Sequence, residues 1–148
     1  MKRKKAAPKK KSFEVEPGTT HFLNVDLDVE SREPLDVLVE ALGKKVCVRF
    51  VGSIGPRKYA AYVSLSRSYD KTADQLTRTL CELVLRLPKP ARALWNRARS
   101  RRFDVGIEGG HQPRSHAVHL EPPTIALVAS VGGSIVITTY PPYETLSD

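Results

Sequence analysis

A chain of 148 residues with 41% hydrophobic and 27% charged side chains has the size and composition of one folded domain with its own core, which excludes collagen-like and low-complexity classes. Its formal charge of +8 points to nucleic acid or an anionic surface only if the excess lies on the folded body. Seven of the cations, Lys2, Arg3, Lys4, Lys5, Lys9, Lys10 and Lys11, precede Ser12, and the 17 basic residues that follow face 16 acidic ones, so the body is nearly neutral.

Residues 1–18 combine the lysines with Pro8 and Pro17-Gly18. Such a segment cannot bury enough apolar area to offset the entropy of ordering it, so a disordered basic arm is expected, followed by a single α/β domain over residues 19–142 and a frayed tail over 143–148. No apolar run reaches the length of a membrane span, and no apolar core follows the lysines as in a signal peptide, so a cytoplasmic protein that meets no membrane is expected.

Leu23, Val25, Leu27 and Val29 alternate with Asn24, Asp26, Asp28 and Glu30, the period of a half-buried strand with an acidic outer face. Ser31 then suits a helix N-cap, Leu35, Leu38, Val39 and Leu42 recur at helical spacing, and Gly43 suits a C-terminal left-handed cap. Residues 45–51 and 58–65 read as a strand pair around a Gly52-to-Pro56 hairpin loop. Thr72 and Gln75 have the spacing of a capping box ahead of the stripe Leu76, Leu80, Leu83, Val84 and Leu87. Pro88 and Pro90 break that helix, and Ala91, Leu94, Trp95 and Ala98 continue the spacing in a shorter one, with Trp95 as a core anchor. Phe103, Val105 and Ile107 form a strand and His116 to Leu120 a short further one. Pro122 and Pro123 open a helix carrying Ile125, Val128 and Ala129, and Ser134 to Tyr140 is a closing strand.

The order is that of an α+β fold: a mixed, largely antiparallel sheet with helices mainly on one face, its ferredoxin-like β-α-β-β-α-β unit extended by a C-terminal α-β. Strand order is not legible at this level.

The run from Leu87-Pro88 to Trp95, the strand Phe103-Asp104-Val105-Gly106-Ile107-Glu108, and the segment from Leu120-Glu121-Pro122 through Gly133 to Tyr140 together resemble an uncharacterised bacterial family known only as a domain of unknown function. Some of its members look like immunity or antitoxin partners. The resemblance, strongest over residues 83–140, implies a protein that acts by binding another protein, and it brings no functional residues with it.

Residues 83–102 hold Arg86, Lys89, Arg92, Arg97, Arg99, Arg101 and Arg102 with no carboxylate between them. Guanidinium forks suit phosphate, so Arg92, Arg97, Arg99, Arg101 and Arg102, with the seven cations of the arm, are the candidate residues for binding nucleic acid or a protein partner. The competing reading is a solvated helix face, with Arg97 or Arg101 paired to the acidic face of the first strand.

His111, His116 and His119 lie near Asp104, Glu108 and Glu121, but their spacing is poor for a metal site and none is expected. The alternation of Asp26, Asp28 and Glu30 implies solvated carboxylates with no catalytic role. Cys47 and Cys81, far apart in apolar stretches, read as small buried hydrophobes. Serine and glycine contexts give neither a nucleophile elbow nor a phosphate loop. The expectation is a non-enzymatic binding module without cofactors, with a protein as the leading partner and nucleic acid as the alternative.

Overall fold

The structure, a computed structural model, describes residues 15–16 and 18–142. The seven cations of the arm, nearly all of the segment expected to be disordered, and the tail over 143–148 lie outside the described residues.

Alternation along the first apolar stretch produces β1, His21–Ser31, with Val25, Leu27 and Val29 buried and the residues between them half-exposed. The helix α1, Asp36–Leu42, starts later than expected: Leu35 stands at its N-cap without a side-chain bond. Ser31 instead ends β1, its hydroxyl accepting from the Glu33 N–H at 3.1 Å. Gly43 does adopt a positive φ of 71°, but it leads into a short 3-10 turn, Gly43–Lys45, rather than into the next strand.

The strands β2, Val46–Gly55, and β3, Lys58–Leu65, are longer on one side than the glycines implied. Gly52 and Gly55 lie inside β2, whose register with β3 shifts between Val48 and Phe50 and again between Ser53 and Gly55. The glycines therefore sit in a bulged strand rather than a loop. Pro56 and Arg57 alone make the turn, Arg57 with a φ of 53°.

The capping box forms as its spacing requires. Gln75 N–H donates to the Thr72 hydroxyl at 3.2 Å and Thr72 N–H to Gln75 Oε1 at 3.0 Å, opening α2, Ala73–Leu85. Pro88 then caps α3, Lys89–Arg97, and β4 follows over Ser100–Glu108. Residues 116–120 form no strand, in contrast to the expectation. The connection from β4 is tied down by His111 N–H to Gly18 O (2.8 Å), Thr20 N–H to Gln112 O (2.6 Å) and Glu121 N–H to Asp74 Oδ1 (2.8 Å).

In α4, Pro122–Ser130, the buried residues are Thr124 and Val128, while Ile125 and Ala129 face outward. The helix is apolar nearly all round, so periodicity could not select its inner face. Arg78 of α2 selects it by donating Nε and Nη2 to the Thr124 hydroxyl at 3.3 and 3.2 Å. Strand β5, Ser134–Tyr140, closes the described chain.

The fold is α+β, with one mixed, mostly antiparallel five-stranded sheet in the order β2-β3-β1-β4-β5. β1 is antiparallel to both β3 and β4, β2 is antiparallel to β3, and β5 is parallel to β4. Each helical connection therefore joins parallel strands, and the first two pairs interleave. All four helices contribute to one core against Val25, Leu27, Val29, Ala61, Val63, Phe103 and Val105 of the central strands. Trp95 is fully buried there, packed edge-on to Phe103 at 6.4 Å, with its Nε1–H donating to Val131 O at 2.8 Å.

Candidate functional site

With the helices gathered on one side, the opposite face of the sheet carries the even-numbered residues of β1 and β4. Asn24, Asp26, Asp28 and Glu30 run beside Arg102, Asp104 and Gly106, with Asp26 directly opposite Asp104 and Asp28 opposite Arg102. On the other flank Asp28 lies opposite Tyr62 and Asp26 opposite Ser64. The first bulge of β2 brings two consecutive side chains to this face. Arg49 Nη1 reaches Asp26 Oδ2 at 3.6 Å, and Phe50 packs on Tyr62 with ring centroids 5.7 Å apart.

These carboxylates are not the solvated row implied by alternation. The twisted sheet and its neighbouring strands half-bury them, and burial drives the Asp28 carboxyl up to about 6, aided by the charges of Asp104 and Asp26 against the opposing pull of Arg102 and Arg49. Burial also raises Asp26, with Arg49 opposing and Asp104 adding to the shift. Asp104 accepts from the Thr138 hydroxyl at 2.7 Å, Glu30 meets Arg102 Nη2 at 3.3 Å, and Glu108 meets His21 Nε2 at 3.2 Å. Gly106, lacking a side chain, opens a cavity of about 260 Å³ bordered by Leu23, Asn24, Asp26, Arg49 and Tyr140.

The arginine-rich segment is dispersed into structural roles. Arg92 Nη1 donates to Val84 O at 3.0 Å, holding the bend between α2 and α3. Arg97 forms a two-pronged pair with Glu33 at 2.8 and 3.1 Å, beyond the end of β1 rather than on its acidic face. Arg101 donates to the carbonyls of Trp95, Asn96 and Ala98 at the end of α3 and to Gly132 O after α4, so it caps a helix instead of pairing with a carboxylate. It is Arg102 that reaches the acidic face, through Glu30. Arg99 is exposed.

His111, His116 and His119 are all exposed. Among the described residues no group of three or more His, Cys, Asp or Glu side chains is placed to hold a metal ion. The histidine that meets a carboxylate is His21, its Nδ1 2.8 Å from Thr19 O. Sequence spacing gave no sign of this, because Glu108 lies on a strand 87 positions away. Cys81 is buried, and burial pushes its thiol up to about 12, whereas Cys47 is exposed, contrary to expectation. The register explains the exposure: Cys47 lies opposite Ser64, which lies opposite Asp26, so it shares the helix-free face of the sheet, while its neighbour Val46 is buried.

No helix among the described residues is long and apolar enough to cross a membrane. Comparison with known proteins finds no family model, no curated protein and no solved structure that matches the chain.

Proposed function

We propose that the protein is a non-enzymatic binding module of the cytoplasm that takes a protein partner on the helix-free face of its sheet. The observation that carries this reading is the composition of that face: half-buried carboxylates on β1 and β4 flanked by the Phe50–Tyr62 pair. An aromatic anchor beside partly desolvated charge is the usual make-up of a binding hot spot. Acidic side chains outnumber cationic ones there, so the partner presents Lys or Arg together with an apolar side chain. The resemblance to a bacterial family with immunity-like members supports a protein as the target. An exposed free thiol, Cys47, suits a reducing compartment.

Nucleic acid is the weaker reading. Arg92, Arg97, Arg101 and Arg102 already bond within the protein, so the segment has fewer cations to offer phosphates than its composition implies.

The test is affinity capture from the native host at moderate salt, comparing the wild type, Asp28→Lys/Phe50→Glu, and a chain beginning at Ser12. One partner band, retained by the shortened chain and lost from the double variant, is the expected result. Capture of the same partner by the double variant, or of nucleic acid lost with the arm, overturns the reading.

A further inference from the structure

A second concavity lies away from the open face, where the turn after α1, the end of β3 and the start of α2 meet. Its volume is about 450 Å³, within the range of small-molecule sites. Its floor is part of the core: Leu65 and Leu76 are 8% and 1% exposed. Its rim carries Lys44, Lys45, Arg67 and Lys71, and no carboxylate lines it.

The walls are held by the backbone. Ser66 N–H donates to Lys45 O at 2.8 Å and the Ser66 hydroxyl donates to Lys44 O at 3.0 Å, fastening the turn to the end of β3. The capping box fixes the opposite wall.

The rim cations are gathered without a counter-charge. Arg49, Arg78, Arg97 and Arg102 each meet a carboxylate, and among the described residues none of the four rim cations does; what sets them apart from other unpaired cations such as Arg86 and Lys89 is that all four border one cavity. Four of the body's 17 basic residues thus surround one cavity in a body with almost no net charge. Like charges gathered over a low-dielectric floor repel one another, and an anion placed among them relieves that repulsion. The methylene stems of the lysines and the edge of Leu65 add apolar burial that inorganic phosphate cannot use.

We infer that this cavity is a binding site for an amphiphilic anion, a carboxylate, phosphate or sulfonate head on an apolar body. The head is held by Lys44, Lys45, Arg67 and Lys71, and the body lies along the methylene stems of the lysines over the exposed edge of Leu65. The site is separate from the proposed partner face, and neither depends on the other.

The full chain is titrated with anilinonaphthalene sulfonate, whose fluorescence rises in an apolar site, and the dye is then displaced with decanoate, decanol or inorganic phosphate. Displacement by decanoate, and not by equal concentrations of the other two, is expected. Lys45→Glu/Lys71→Glu should weaken decanoate by at least roughly tenfold through loss of charge-assisted contacts. Arg86→Glu/Lys89→Glu, the same charge change on exposed residues elsewhere, should leave it within about twofold because distant exposed charges are screened. Pelleting with phosphatidylglycerol but not phosphatidylcholine vesicles that Lys45→Glu/Lys71→Glu loses and Arg86→Glu/Lys89→Glu keeps assigns the anion to lipid; pelleting that is equal in all three chains comes from the basic arm, and that result, like no pelleting, assigns the anion to a free ligand. Equal displacement by decanol, equal weakening in both double variants, or failure of decanoate to displace the dye overturns the inference.

Discussion

Asp28 shows how a single side chain departs from its local pattern. Its folded pKa, near 6, stands above the ordinary value of 3.8, so the native state keeps a proton that the unfolded chain has already released. Stability contributed by this group is therefore present below about pH 4 and is lost as pH rises through 6. Asp28→Asn should raise stability at pH 7 by about 1–2 kcal/mol, the shift being discounted for a half-exposed group. Glu33 and Asp74 are both lowered and act in the opposite direction, so the readout is the difference between wild-type and variant urea midpoints at pH 4 and pH 7. An unchanged difference would show that Asp28 titrates normally. Trp95→Ala should cost about 3–5 kcal/mol, because it empties the centre of the core. It also leaves Val131 O without the indole donor.

At the scale of elements, the two C-terminal helices are joined by one guanidinium. Arg101 serves three carbonyls at the end of α3 and one after α4, so Arg101→Ala should lower stability by about 1.5–3 kcal/mol. Lys cannot reproduce the planar fork, and Arg101→Lys should recover little in thermal melting. The turn into β5 is equally constrained. A Cβ at Gly133 would stand 2.5 Å from Phe103 Cε2 and 3.2 Å from Val128 Cγ1, and Gly133→Ala should cost about 1–3 kcal/mol by overpacking. By contrast Ile137, although it lies opposite the buried Val105, is 66% exposed on an edge strand. Ile137→Lys should change the melting free energy by less than about 0.5 kcal/mol.

Over the whole molecule, charge is sorted by location. Carboxylates collect on the open sheet face, four cations rim the cavity beside α2, and the lysines of the first eleven residues stand apart in sequence. A cationic partner on the open face should bind more weakly at pH 5 than at pH 7, by roughly threefold for the loss of one partly screened charge. Calorimetry with the captured partner at both pH values measures this, and Asp28→Asn should abolish the difference.

The α+β class and the existence of β1, α2, α3, β4 and β5 were legible in the sequence, because alternation, the Thr72–Gln75 spacing and the prolines act over a few residues. Trp95 was legible as a core anchor for the same reason, since its helical stripe names its inner face. Strand order was not, nor was the position of Asp26 opposite Asp104, 78 residues away, which half-buries what local alternation presents as a solvated row. The arginine-rich segment shows the same limit. Seven cations in sequence look like one patch, but a strand's alternation and a helix end send Arg97, Arg101 and Arg102 to three different partners. Short-range physics determines the period and ends of each element. Which side chains share a dielectric environment, and hence which charges remain for a ligand, is decided only when distant strands pair.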